Sequence, residues 1–121
     1  MRTIEDTIQS YIDTWNETDP ARRRAAIRSL YTEDCTYTDP HADLSGPEAI
    51  DAFVGQVQER FPGVRFELAG AVDAHHTQVR FTWRAMNGGA GPLAVGTDVA
   101  LVADGRIRRV YGFQDQAPAA T

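Results

Sequence analysis

Residues 79–113 read VRFTWRAMNGGAGPLAVGTDVALVADGRIRRVYGF, and they carry the clearest strand pattern in the chain. Its first seven residues alternate apolar and polar side chains, which is the period of a strand with one buried face. Two further strand-like runs follow, and Asp104-Gly105 between them is a tight hairpin signal. Apolar and polar side chains also alternate at residues 64–68, before this stretch. Together the runs predict a four-stranded antiparallel meander with strands near residues 64–68, 79–85, 95–102 and 107–113.

Two helices are predicted at the start of the chain, because apolar residues recur there three or four positions apart. The first begins after Thr3, and Asp6 completes a weak form of the capping box. The second begins at Asp19-Pro20, with Asp as the cap and Pro in the first turn. We expect residues 22–24, all Arg, to lie on the solvated outside of this second helix. Its apolar face is predicted from Ile27, Leu30 and Tyr31.

A short strand over residues 35–39 and a loop over residues 41–44 precede a third helix. Ser45 and Glu48 have the spacing of a capping box for that helix. Helices packed on one side of an antiparallel sheet make an α+β domain, and a curved sheet over helices leaves a cavity for a small ligand. Residues 117–121 are small and are expected to fray.

Composition excludes several classes of protein. The chain has 121 residues with 17 acidic and 12 basic side chains, so its net charge of −5 argues against nucleic acid as a partner. Every basic residue is Arg, which excludes Schiff-base chemistry on Lys. Cys35 is the one cysteine, so an internal disulfide is excluded and a cytoplasmic location fits. A length of 121 residues is typical of one domain, so we expect a single domain over residues 1–121. The sequence has neither a signal-peptide core nor an apolar run of roughly 18 residues, so we expect no membrane partner.

Three groups of residues resemble the SnoaL-like branch of the nuclear transport factor 2-like superfamily. They are YTEDCTYTDP at 31–40, SGPEAI at 45–50, and GTD at 96–98 with DGRI at 104–107. The resemblance implies a cone-shaped barrel, in which a strongly bent, mostly antiparallel sheet wraps over three N-terminal helices, usually as a homodimer. The branch includes polyketide cyclases, ketosteroid isomerases and many proteins of unknown activity.

The same resemblance assigns catalytic roles to three residues. Asp39, in its Asp-Pro pair, matches the general base of ketosteroid isomerases. Asp98 matches the strand Asp that stays protonated and donates a hydrogen bond to the substrate oxyanion. Tyr11 falls on the phenol that donates to the same oxyanion. Together they supply a base and two donors, which suits proton abstraction next to a carbonyl group.

The residues themselves leave other roles open. Asp39 is also placed where an Asp ends a strand by binding backbone amides. Asp98 lies inside an apolar strand, where Asp is unusual, so it is either functional and has a raised pKa or is paired with an Arg. Tyr11 is equally a core tyrosine.

Aromatic side chains at helix and strand spacings are expected to line the cavity. The same side chains would form both the hydrophobic core and the wall of the pocket. A flat apolar wall favours polycyclic or aromatic ligands over sugars or nucleotides. His41 follows Pro40 at the expected pocket mouth, as a proton relay or a surface loop residue. The predicted ligand-binding residues are Trp15, Tyr37, Phe53, Phe81, Trp83 and His41.

Neither the histidine pair nor the cysteine predicts a separate reactive site. His75 and His76 are adjacent, and neighbouring side chains of an extended chain point apart, so no metal site is expected. Cys35 faces inward by the strand alternation and is expected to be a buried small hydrophobe rather than a nucleophile.

Three functions are compatible with these residues. The first is a cofactor-independent isomerase or cyclase acting on a steroid- or polyketide-like carbonyl compound. The second is a ligand-binding or dimerisation module without catalysis. The third, an epoxide hydrolase, needs an Arg with two Asp around a water, and Arg84 is predicted to face away from Trp83. We expect a homodimer through the sheet face that carries Arg80, Thr82, Arg84 and Met86, joined by Tyr111 and Phe113.

Overall fold

The computed structural model describes residues 2–116, and the tail expected at residues 117–121 lies outside them. The helices are α1 (Ile4–Asn16), α2 (Pro20–Leu30) and α3 (Pro47–Arg60). The strands are β1 (Tyr31–Asp39), β2 (Ala42–Ser45), β3 (Arg65–Leu68), β4 (Asp73–His75), β5 (Gln78–Met86), β6 (Ala94–Ala103) and β7 (Arg106–Gln116).

The strands form one strongly curved, open sheet in the order β2-β1-β7-β6-β5-β3, with β4 also paired to β5. Strands β3, β5, β6 and β7 are the predicted antiparallel meander. Strand β1 joins it by pairing parallel to β7, and Tyr37 lies opposite Val110 in that register. The three helices pack on the inner face of the sheet, so the α+β prediction is confirmed. Within residues 2–116, no helix is both long and apolar enough to cross a membrane.

Two strands are missing from the prediction. The predicted loop at residues 41–44 is mostly β2, which pairs antiparallel with β1. The predicted turn at residues 73–76 contains β4, which pairs with β5. Both are short edge strands with largely exposed side chains, so neither has the apolar alternation that reveals a half-buried strand.

Helix α1 forms as predicted. Thr3 and Asp6 make a reciprocal capping box, and the apolar stripe is buried. Ile8 is fully buried and Tyr11, Ile12 and Trp15 are nearly so. The stripe therefore fixes which side chains of α1 enter the core.

The structure corrects three expectations for α2 and α3. Tyr31 is the first residue of β1, and its backbone N–H caps α2 by donating to the Ile27 carbonyl. Gly46, rather than Ser45, caps α3, because its φ of 89° turns the chain without a side-chain bond. Arg23 is buried rather than solvated: it is 8% exposed.

A polar network explains the burial of Arg23. Its Nε donates to Asp51 on α3 at 2.8 Å, and its Nη1 donates to Gln58 at 2.8 Å. Gln58 in turn donates to the carbonyls of Trp15 and Glu17 at the end of α1. The network thus ties all three helices together beneath the sheet.

Removing Asp51 should destabilise the chain, because Arg23 would be left as a buried charge without its ion partner. We expect Asp51→Ala to cost about 3 kcal/mol in urea unfolding. The matched control is Glu48→Ala, which breaks the exposed Arg28–Glu48 pair and should cost less than about 1 kcal/mol. If the two variants lost the same free energy of unfolding, the buried Arg23 network would stabilise the chain no more than an exposed ion pair does.

Candidate active site

Asp98 on β6 is the buried carboxyl at the centre of the site. It is 3% exposed. Tyr11 on α1 donates its hydroxyl to Oδ2 at 2.8 Å, and Trp83 on β5 donates its indole N–H to Oδ1 at 3.1 Å. None of the ion pairs in the described chain includes Asp98, so the alternative of an arginine partner is wrong.

Burial raises the pKa of Asp98 from 3.8 to about 6. The hydrogen bonds from Tyr11 and Trp83 favour the charged form and oppose this rise, while the negative charge of Asp39 adds to it. Burial also raises the pKa of Tyr11 well above its usual value, and the charge on Asp98 acts in the same direction. Tyr11 therefore keeps its proton as a donor, and Asp98 exchanges its proton close to neutral pH.

Asp39 ends β1 and has its own donors. Tyr37 donates its hydroxyl to Oδ2 at 2.7 Å, and the backbone N–H of His41 donates to Oδ1 at 2.7 Å. The bond from His41 is the backbone contact expected of an Asp that ends a strand. Asp39 is half-buried, so this second carboxyl lies nearer the surface than Asp98.

Gly112 on β7 lies between Asp98 and Asp39. A Cβ built on Gly112 would lie 3.0 Å from Asp98 Oδ1 and 3.3 Å from the Asp39 Cβ. Any side chain at position 112 would therefore push against both residues. Gly112 is not among the predicted site residues, although a glycine inside a strand is the usual signal of a close approach.

The predicted aromatic residues form one continuous cluster beside the carboxyls. Trp15 contacts Tyr37 and Phe53, with ring centroids 5.9 and 6.0 Å apart. Phe81 packs edge-on against Tyr11 at 5.4 Å. The cluster also contains Phe66, which the sequence analysis did not select and which bridges Trp15 and Trp83 at 5.5 and 5.7 Å.

Trp83 lies across the neighbouring strand. A Cβ at Gly96 would meet the indole ring at 2.2 Å, so the glycine is what allows the ring to rest on β6. Trp83 is half-buried, unlike Trp15, which is 7% exposed. Of the two tryptophans, Trp83 is therefore the more exposed to solvent.

Two open clefts lie at the surface of the described chain, with volumes of about 330 and 220 Å³. The larger is lined by Arg80 and Thr97 among others, and the smaller by Trp15 and Gln58 among others. Neither is bordered by Tyr11, Asp39 or Asp98. Neither cleft is therefore the ligand cavity that the sequence predicts beside these three residues.

The remaining candidates lie at the surface or in the core. His41 is exposed, and its Nε2 is 3.1 Å from Gln114 Oε1. Cys35 is fully buried, and burial raises the pKa of its thiol, so it resembles a small hydrophobe. The expectation that His75 and His76 point apart is wrong: their Nδ1 atoms are 3.2 Å apart, because His76 adopts a left-handed φ of 55°.

Asp98 should make the protein less stable as pH rises. The folded chain holds a proton on Asp98 up to about pH 6, whereas the unfolded chain releases it near 3.8, so stability falls across this window. At about 1.4 kcal/mol per pH unit, the loss is about 3 kcal/mol. Urea unfolding of the wild type and Asp98→Asn at about pH 4 and pH 7 isolates this contribution as the difference between the two proteins. Parallel pH curves would contradict it.

The chain matches the family model for the SnoaL-like domain over residues 8–110. It resembles a crystal structure of a candidate isomerase of the SnoaL-like family from Agrobacterium tumefaciens str. C58, with a TM-score of 0.85 and 38% identity. That match covers 90% of this chain and 94% of the other. No curated protein is significantly similar to the chain.

Two more distant structures share the fold. A candidate ketosteroid isomerase from Kribbella flavida DSM 17836 has a TM-score of 0.69 at 21% identity, over 95% of this chain and 79% of its own. A candidate SnoaL-like polyketide cyclase from Jannaschia sp. CCS1 has a TM-score of 0.70 at 18% identity, over 90% and 85%. Family model, fold and the 38% identical relative agree: the chain belongs to the SnoaL-like family, within the nuclear transport factor 2-like superfamily.

Proposed function

We propose that this protein is a cofactor-independent isomerase or cyclase that moves a proton next to a carbonyl group of a steroid- or polyketide-like compound. One observation carries the proposal: the buried Asp98 carboxyl, with a pKa of about 6, is bonded to a phenol and lies across Gly112 from a second carboxyl. Two carboxyls in different environments suit one acid and one base. The relatives described as isomerase and cyclase support the same class.

Asp39 is the base in this proposal. Its carboxylate takes a proton from the carbon next to the substrate carbonyl, and the C–H electron pair moves to form an enolate with its charge on oxygen. Asp39 then returns the proton to the enolate, at another carbon in an isomerisation. The bonds from Tyr37 and His41 hold the carboxylate in place while leaving lone pairs free.

Tyr11 and Asp98 stabilise the enolate oxygen. Tyr11 turns its hydroxyl from Asp98 to the substrate oxygen, and protonated Asp98 donates beside it. A negative oxygen next to Asp98 raises the pKa of this residue further, since two like charges repel. The proton therefore stays on Asp98 while the enolate exists.

Trp83 makes room for the substrate. Its indole N–H donates to Asp98 Oδ1, and its ring is half-buried. In this proposal the ring swings outward and frees that oxygen. The space that it leaves is bordered by Phe66 and by the Tyr11–Asp98 pair. Flat aromatic faces around a hydrogen-bonding end favour a polycyclic or aromatic carbonyl compound.

Substitutions of Asp39 and Asp98 test the two proposed roles separately, since Asp39 is the base and Asp98 is a hydrogen-bond donor. Asp39→Asn should abolish exchange of the acidic substrate proton with deuterated water while leaving affinity for a phenol such as 2-naphthol nearly unchanged. Asp98→Asn keeps a donor and should lose less activity than Asp98→Ala, which loses the donor and leaves a void. Proton exchange is followed by NMR, and binding by quenching of Trp15 and Trp83 fluorescence.

The control variant is Asp13→Asn, which makes the same change at an exposed position of α1. It should match the wild type in both measurements. Normal proton exchange in Asp39→Asn and both Asp98 variants would overturn the enzyme proposal.

The second candidate function is a ligand-binding module without catalysis. The internal hydrogen bonds favour it, because both carboxyls accept from donors within the chain itself. The two functions differ in one result: a binding module binds the phenol but exchanges no substrate proton.

We also propose that two copies pair through the outer face of the sheet. Phe113 and Tyr111 on β7 are 60% and 41% exposed, and they are the large apolar residues of the described chain that face solvent. Arg80 and Arg84 lie on the same face, bonded to Asp73 and Glu67. A mixture of exposed aromatic rings and arginines is typical of an interface.

Light scattering at micromolar concentration should give twice the 13.3 kDa of one chain. Phe113→Glu places a charge in the centre of this face and should shift the mass toward that of the monomer. Gln56→Glu adds the same charge on the exposed side of α3 and should leave the mass unchanged. A monomer mass for the wild type would rule out the pairing.

A further inference from the structure

The phenol of Tyr31 is a buried polar group without a partner. Tyr31 is 1% exposed. Within residues 2–116, only its hydroxyl and the Nε of Arg106 are buried side-chain polar atoms that lack a hydrogen bond. A buried hydroxyl without a partner costs free energy, and a phenylalanine would fill nearly the same space without that cost.

The backbone fixes where this phenol lies. The N–H of Tyr31 donates to the carbonyl of Ile27, and Tyr31 pairs with Ile107 in the parallel register of β1 and β7. Ile27 and Ile107 are both fully buried. The ring therefore enters the core at the junction of α2 and β1, and it cannot turn to solvent to satisfy its hydroxyl.

Tyr31 shares the interior with the proposed site. The charges of Cys35 and Asp98 add to burial in raising the pKa of Tyr31. Tyr31 in turn raises the pKa values of Tyr11 and Tyr37. Tyr11, Tyr31 and Tyr37 belong to the same buried core cluster, but their hydroxyls differ in their hydrogen-bond partners.

The hydroxyls of Tyr11 and Tyr37 have carboxylate acceptors, at 2.8 and 2.7 Å. The hydroxyl of Tyr31 has no hydrogen-bond partner among the residues that the structure describes. A ligand oxygen inside the same interior would satisfy it.

We propose that Tyr31 forms a second polar subsite of the pocket, which binds a hydroxyl or carbonyl oxygen of the ligand distinct from the oxygen held by Tyr11 and Asp98. This inference rests on the proposed function and narrows its substrate class to compounds with two oxygen functions on an apolar frame. Tyr31 then selects among ligands and takes no part in proton transfer.

A pair of probes that differ by one hydroxyl tests the subsite. The probes are 2-naphthol and 2,6-dihydroxynaphthalene, with affinities measured by tryptophan fluorescence or calorimetry. One added hydrogen bond should make the diol bind the wild type about three- to tenfold more tightly. Tyr31→Phe should bring the two affinities to within about twofold of each other, with that for 2-naphthol unchanged. Tyr111→Phe removes a half-exposed hydroxyl as the control and should keep the preference for the diol.

Thermal unfolding without ligand supplies a second measurement. Tyr31→Phe should keep or raise the Tm, because it removes an unpaired polar group, whereas Tyr37→Phe removes a bonded hydroxyl and should lower it. A clear fall in the Tm of Tyr31→Phe would show that the hydroxyl is already bonded in the ligand-free protein, and it would overturn the subsite.

The binding outcomes separate this inference from the function on which it rests. If 2-naphthol binds but the wild type shows no preference for the diol, or Tyr31→Phe keeps that preference, the subsite is wrong and the proposed function stands. If the wild type binds neither probe, the ligand class of the proposed function is wrong and the subsite falls with it.

Discussion

The hydrogen bond from Tyr11 to Asp98 joins the first helix to the centre of the sheet, across 87 positions of the sequence. It satisfies a carboxyl that would otherwise be buried alone, and Trp83 adds a second donor from the next strand. The contact links the packing of α1 to the proton affinity of Asp98, because the bond from Tyr11 opposes the rise in pKa that burial causes. The apolar stripe of α1 decides that Tyr11 faces inward, so the packing of the helix and the chemistry of the site have the same cause.

Asp39, the second carboxyl, lies at the site because of how the strands are ordered in the sheet. Asp39 ends a strand that runs parallel to β7, and Gly112 on β7 leaves the space between Asp39 and Asp98. An antiparallel meander alone would bring only Asp98 to the inner face. Strands β5 and β6 supply Trp83 and Asp98 to the interior. The pairing of β1 with β7 adds Asp39 and the phenol of Tyr31, whose hydroxyl lacks a partner among the described residues.

Sequence patterns predicted the elements whose signals are periodic, which are the helices and the four strands of the meander. They also drew attention to Asp98, because a carboxyl inside an apolar strand needs a physical reason. Hydrogen bonds between side chains of elements far apart in the sequence could not be predicted from these patterns. The bond from Trp83 to Asp98 depends on Gly96 letting the ring cross a strand, and the burial of Arg23 depends on Asp51 from another helix. A periodic pattern predicts which face of a helix or strand a side chain lies on, but it does not predict which residue of another element that side chain contacts.

The position of Gly112 between Asp39 and Asp98 has a consequence for the charge of the proposed site. The negative charge of Asp39 is one of the causes that raise the pKa of Asp98. In the proposed reaction this charge moves from Asp39 to the enolate oxygen beside Asp98, so Asp98 would face a negative charge both before and after the proton transfer. The protonated form of Asp98, which is the donor, would therefore be favoured throughout the cycle. The missing side chain at position 112 leaves the space in which the two residues approach each other.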